Sequence, residues 1–203
     1  MEVISDDKEM KKLMERNNFK RIKIALYGIE RSGKTIFLDR IASKIRFNNF
    51  KDSIETNTPT IGGYYRNIFL KFKGKLFLVD LWDTSGQLKF ISLVKCFGKD
   101  SDIILNFYDP FNKDSFEYIK NCLQGVKLVT NLLNCTYILI KSKYDLNKTQ
   151  DNNIVISDEE ALEYADNNNM LFRNLSNLEK YGSGIEEILE DCINGYLQKR
   201  NEN

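Results

Sequence analysis

The sequence predicts an α/β domain: a mainly parallel sheet covered by helices on both faces. Short apolar runs alternate with stretches of helical spacing, the order that parallel strands require because each needs a crossover to reach the next. Most of the runs are nearly continuous in aliphatic and aromatic residues, as expected of strands covered on both faces. The octet "GIERSGKT" (28–35) lies where the first apolar run meets the first helical stretch. In open α/β sheets that junction, at the carboxyl end of a strand, is where ligands bind.

Taken in order, residues 1–19 are a charged extension predicted as a surface helix, and residues 20–200 form the domain. "RIKIALYG" (21–28) is apolar, ends in glycine and predicts a buried strand. From Lys34 to Arg46, apolar residues recur as on a helix at Ile36, Phe37, Leu38, Ile41 and Ile45. "YYRNIFLKF" (64–72) and "KLFLVDLW" (75–82) predict two strands joined by a turn at Gly74. "SDIILNFYD" (101–109) and "CTYILIK" (135–141) predict two more. Between them "DSFEYIKNCLQGVKLVTNLL" (114–133) reads as a long amphipathic helix opened by a capping box of Asp114 and Glu117. "SDEEALEYA" (157–165) opens the same way with Ser157 and Glu160, and helical spacing returns at 184–200.

Composition removes several function classes. A net charge of +1 over 203 residues gives no electrostatic reason for nucleic acid or an anionic membrane to be the main partner. There is no signal peptide and no apolar run near the ~20 residues of a membrane helix, which predicts a cytoplasmic protein. Histidine is absent, which excludes histidine–zinc centres and nucleophiles activated by a histidine base. Cys96, Cys122, Cys135 and Cys192 are scattered singly and predict free thiols in a reducing compartment. With no myristoylation signal or terminal CaaX, no direct lipid anchor is expected, and Cys192 belongs to a helix face.

The octet has the chemistry of a phosphate loop. Its glycines allow tight backbone conformations in which successive N–H groups of Glu30, Arg31, Ser32, Gly33, Lys34, Thr35 and Ile36 turn toward an anion, and the helix N-terminus adds its dipole. Lys34 is placed to reach the β- and γ-phosphates, and the Thr35 hydroxyl to ligate Mg²⁺. "LWDTSGQLKF" (81–90) ends the third strand and adds Asp83 for the magnesium shell, the Gly86 N–H for the γ-phosphate, and Gln87 to orient an attacking water. "TPTIGG" (58–63) offers Thr60 as a second hydroxyl for Mg²⁺.

These motifs resemble the small GTPases of the Ras superfamily, and the Rab family most closely, over roughly residues 20–200. "WDTSGQ" is similar to the Rab "WDTAGQ", "TIGGYYR" resembles "TIGxxF", and "DIILNFYDPFNKDSFEYIKN" resembles "GIILVYDVTNxxSFxxxxxW". The resemblance implies a P-loop NTPase G domain with a mainly parallel six-stranded sheet. It also implies a GTP/GDP switch that uses Mg²⁺, hydrolyses GTP slowly and regulates vesicle traffic. The family's guanine-reading "NKxD" corresponds to "SKYD", so Asp145 would read the guanine N1–H and amine, with the Lys143 stem along the purine and Ser142 in place of asparagine. Aligning "YGSGIEE" with the family's "TGxGIEE" puts "LEK" (178–180) at the family's "SAK", giving Glu179 and Lys180 to the base. The aromatic triad that partners read maps onto Tyr65, Trp82 and Phe97. The resemblance further implies an exchange factor, a GTPase-activating protein, and effectors that read the triad and the switch segments 47–63 and 84–97.

The departures from the family are specific. The stretch from Thr35 to Thr60 is longer than in the family, which places an insertion in "FNNFKDSIETN" and leaves Phe47 and Phe50 as alternatives for the aromatic that edges the guanine. Glu30 stands where relatives carry a small residue, facing the γ-phosphate and the path of an arginine finger. No cysteine pair ends the chain, so prenylation is not expected. Two other readings remain: a scaffold that holds a nucleotide permanently or not at all, favoured by "SKYD" and "LEK", and an Arf-like switch, favoured by "PTIGG" and the acid in the phosphate loop.

Overall fold

A computed structural model describes residues 1–4, 7–16, 18–45, 62–87, 96–128, 134–146, 154–176 and 184–200. Its strands are β1 (Glu2–Ile4), β2 (Lys20–Tyr27), β3 (Gly63–Phe72), β4 (Lys75–Thr84), β5 (Ile103–Tyr108), β6 (Thr136–Lys141) and β7 (Met170–Asn174). They form one sheet in the order β1-β3-β4-β2-β5-β6-β7. From β4 across to β7 every pairing is parallel, while β3 pairs antiparallel with both β4 and β1. The helices are α1 (Asp7–Arg16), α2 (Lys34–Ile45), α3 (Lys113–Lys127), α4 (Asp158–Asn167) and α5 (Ile185–Lys199).

The alternation of side chains along each strand divides the core into two layers. On one face Ile22, Ile24 and Leu26 of β2, Leu105 and Phe107 of β5 and Ile138 and Ile140 of β6 pack under α2 and α5. On the other, Ala25, Tyr27, Ile104, Tyr108, Tyr137 and Leu139 pack under α3 and α4. Buried Cys122, Cys135 and Cys192 belong to these layers, Cys96 is exposed, and all four are free thiols. Among the described residues no helix is long and apolar enough to cross a membrane.

Two local expectations shift. The α3 cap is Asn112, whose side chain accepts from the Asp114 N–H at 3.0 Å, so the helix opens before the expected Asp114–Glu117 box. The Ser157 cap of α4 is where expected, accepting from the Glu160 N–H at 3.2 Å. The extension holds a helix as predicted, but residues 2–4 also add a seventh strand against Phe69–Lys71 at the sheet edge. An unpaired edge offers free N–H and C=O groups, and "EVI" satisfies them while burying Ile4 with Phe69 and Leu78. Leu13 and Phe19 complete this cluster, Phe19 edge-on to Phe69 with ring centroids 5.2 Å apart.

Deleting residues 1–17 removes Ile4 and Leu13 from that cluster. The expected loss is about 2–3 kcal/mol, the burial of one aliphatic side chain plus partial cover of its neighbours. It reads as a lower denaturant midpoint, and an unchanged midpoint would show that the added strand contributes nothing.

Candidate functional site

The parallel strands β2, β4, β5, β6 and β7 all end at the same edge of the sheet, and the residues that follow them build the site. After β2 the chain turns through residues 28–33 and enters α2 at Lys34. Arg31 and Gly33 both have positive φ, 62° and 92°. Left-handed residues interleaved with right-handed ones turn successive N–H groups to one side, the geometry of an anion nest. Gly33 takes this conformation without strain, whereas Arg31 does so as one of few non-glycine residues. The Ser32 N–H donates to the Ile29 carbonyl at 3.3 Å, and the Phe37 N–H to the Gly33 carbonyl at 2.9 Å, which starts the helix.

Lys34 folds into this turn. Its ammonium donates to the Gly28 carbonyl at 2.7 Å, the Ile29 carbonyl at 2.9 Å and the Ser32 hydroxyl at 3.3 Å. Burial pushes its pKa down to about 8, against an opposing pull from the Asp83 carboxylate. A cation held among carbonyls and sheltered from water is poised for an anionic partner, which would restore the charge balance that burial disfavours.

Asp83 closes the same corner from β4, where it sits in register with Leu26 and is buried. The Thr35 hydroxyl donates to its carboxylate at 2.6 Å. Next along the chain, the Thr84 hydroxyl donates to the Leu26 carbonyl at 2.6 Å and the Ser85 N–H to the Gly62 carbonyl at 3.0 Å. Gly86 then lies directly on the phosphate loop, where a Cβ would fall 2.1 Å from the Glu30 nitrogen. Only glycine permits that approach. Gln87 follows half-buried, its N–H 3.3 Å from the Ser85 hydroxyl, while Glu30, Thr35 and Ile36 face solvent. These residues fit the proposed ligands: a nest with a buried lysine suits a chain of phosphates, and a hydroxyl beside a carboxylate suits a hard cation such as Mg²⁺. Thr60 lies outside the described residues.

The segment after β6 is held from four sides. The Ser142 N–H and hydroxyl both donate to the Tyr108 carbonyl, at 2.9 and 2.7 Å, so this buried serine ties β6 to β5. Lys143, at φ 56°, forms an ion pair with Asp109 beyond β5. The Tyr144 N–H donates to the Leu175 carbonyl at 3.1 Å. Asp145 accepts a hydrogen bond from the Ser176 hydroxyl at 2.7 Å. Glu179 and Lys180 lie outside the described residues, as do Phe47 and Phe50. Ser176 was missed by the sequence reading, which placed the partner motif further along. The available signal was positional: "MLFRN" is a short strand, and a hydroxyl two residues past its end falls at the edge where every other parallel strand delivers a site residue.

Tyr65, Trp82 and Phe97 come together on the opposite face of β3 and β4 from α2. Ring centroids are 4.8 Å apart for Tyr65–Trp82 and 5.4 Å for Trp82–Phe97. The Tyr65 hydroxyl donates to Asp80 at 2.6 Å, and Asp80 in turn pairs with Arg21. A Cβ on Gly63 would approach the Phe97 ring to 2.8 Å, so the glycine lets that ring close onto the strand.

A family described as the Ras family matches residues 23–198. The chain is 30% identical to the Ras-related protein Rab-4 of Dictyostelium discoideum over 178 residues, which cover 88% of this chain and 80% of that protein. It is 31% identical to RabH of the same organism over 190 residues, 93% of this chain and 87% of the relative. Human Rab-4A is 25% identical over 177 residues, 87% and 75% of the two chains. The phosphate-loop nest, the carboxylate beside the Thr35 hydroxyl and the strand order thus occur in a chain that matches Rab proteins over most of its length, and it belongs to the Ras family as a Rab-like small GTPase.

Proposed function

We propose that this protein is a guanine-nucleotide switch that binds GTP and GDP with Mg²⁺, hydrolyses GTP slowly and acts in vesicle traffic. One observation carries the reading. The lysine nest, the Thr35–Asp83 pair and Asp145 braced by Ser176 all stand at one edge of one sheet. A nest and buried lysine bind phosphates of any nucleotide; a carboxylate acceptor beyond β6, two strands from β2, selects a base that offers two donors, as guanine does and adenine does not.

In this reading the backbone of residues 30–36 cradles the phosphates and Lys34 neutralises them. Thr35, Thr60 and Asp83 hold Mg²⁺, which when bound offsets charge on the β- and γ-phosphates. Gln87 orients the attacking water, and the Gly86 N–H meets the γ-phosphate. Ser142, Lys143, Asp145, Glu179 and Lys180 surround the base. Effectors read Tyr65, Trp82 and Phe97 together with the switch segments, and an exchange factor and a GTPase-activating protein set the state. The assignment to vesicle traffic rests on the resemblance of the motifs to the Rab family, the name its relatives carry.

Single-turnover hydrolysis tests the enzymatic part. The wild type is expected near the ~10⁻⁴ s⁻¹ scale of unaided family members. Gln87→Leu should slow it about tenfold or more, since it removes the group that positions water. Glu30→Gly should speed it several-fold by removing a carboxylate from a site where developing charge is stabilised electrostatically. Indifference to Gln87→Leu would favour a scaffold that does not hydrolyse GTP.

A further inference from the structure

Lys141 is the last residue of β6 and is 1% exposed, an unusual place for a lysine. Its ammonium pairs with the Asp158 carboxylate at 2.6 Å, 17 positions further on. Asp158 is the first residue of α4, directly after the Ser157 cap. The same ammonium lies 6.0 Å from the centroid of the Tyr144 ring. Tyr144 starts the single turn Tyr144–Leu146 that presents Asp145. One buried cation is therefore paired with the first residue of α4 and lies over the ring that starts the turn carrying Asp145.

Its neighbours leave that turn little freedom elsewhere. Leu175 donates from its N–H to the Lys141 carbonyl at 2.8 Å and accepts from Tyr144, so the backbone of Lys141 and the turn share one anchor on β7's exit. The Pro110 carbonyl accepts from the Val155 and Ile156 N–H groups at 2.9 and 3.1 Å, which fixes the approach to Asp158. With both ends tied by backbone bonds, the Tyr144 ring is 37% exposed and has the Lys141 ammonium as a charged neighbour over its face.

We propose that Lys141, through Asp158 and Tyr144, is a positioning residue for base recognition: it sets where the Asp145 carboxylate stands relative to the base. The inference rests on the proposed guanine site. A buried ion pair is poor evidence of stability, because apolar replacement of similar volume is often neutral. Lys141→Met therefore separates positioning from folding. The probes are GDP and inosine diphosphate, whose base keeps the ring N–H but lacks the exocyclic amine. A correctly placed Asp145 uses both donors and prefers GDP; a displaced one loses that preference.

Titration of the full chain is expected to show a GDP preference in the wild type. In Lys141→Met and in Asp158→Asn that preference should shrink about fivefold or more, since a site built on hydrogen bonds discriminates only while its groups are aligned. Glu163→Gln, on the exposed face of α4, should keep the wild-type ratio. If both variants keep the wild-type GDP-to-inosine ratio, Lys141 does not position Asp145 and the proposal is overturned while the guanine site stands. If the wild type itself shows no preference, the guanine reading fails and takes the proposal with it. Should Lys141→Met not fold, Asp158→Asn decides alone, because Asp158 is half-exposed and its amide leaves the helix cap intact.

Discussion

Lys34→Met is expected to yield a protein that leaves the column without nucleotide, whereas the wild type, denatured after purification, releases a guanine nucleotide. The reason lies in how the lysine is stored. Its buried ammonium is held by the Gly28 and Ile29 carbonyls of the turn that precedes α2. Removing one partner of a buried, hydrogen-bonded charge pair costs about 2–5 kcal/mol in binding. At about 1.4 kcal/mol per decade that is roughly 30- to 3,000-fold in affinity. Methionine fills a similar volume, so the turn itself should persist, and the thermal midpoint of the variant should match that of nucleotide-stripped wild type, both below the loaded protein. Chromatography of the released base settles the matter, and a variant that retains guanine nucleotide at full occupancy would show that Lys34 does not bear on the phosphates.

Asp145→Asn should exchange one base for another. Aspartate only accepts hydrogen bonds, which suits the N–H and amine of guanine. Asparagine presents a donor as well, which suits xanthine, whose carbonyl replaces the amine. The expected result is a loss of GDP affinity of about three decades or more with a gain for xanthosine diphosphate, because a site built to hydrogen-bond a donor rejects its absence by ~10⁴–10⁵. The wild type should favour GTP over ATP by at least about 100-fold on the same argument. Competition titrations with the four nucleotides check both statements. Equal affinity for GTP and ATP in the wild type would remove Asp145 from the base. The Ser176 hydroxyl that donates to Asp145 at 2.7 Å should hold asparagine in nearly the same place, so the swap tests chemistry and not geometry.

The turn from β2 into α2 and the end of β4 were legible in the sequence because each is contiguous. "GIERSGKT" and "WDTSGQ" each contain their own turn and their own functional groups, and local spacing determines what their backbones can do. Five strands were legible for a similar reason: burial on both faces leaves an apolar run that needs no partner to be seen. Residues 170–174 are harder to read, being short, with Leu171 exposed and Phe172 to Asn174 only half-buried at the sheet edge. The α3 cap was misplaced because both Asn112 and Asp114 are good caps, and local sequence does not choose between them.

What the sequence by itself determined is the alternation of strands and helices, the glycine-rich turn from β2 into α2, and the residue types that stand at the ends of β4 and β6. What only the tertiary structure decided is which distant groups brace them. Ser176 reaches Asp145 across 31 positions, Tyr65 and Arg21 share Asp80, Lys141 meets Asp158, and Glu2–Ile4 finds the edge of β3. Each of these is a single hydrogen bond, ion pair or short edge pairing between segments with no periodic pattern to announce it. Such contacts follow from strand order and register, which are set by burial of the whole sheet and not by any stretch of chain alone.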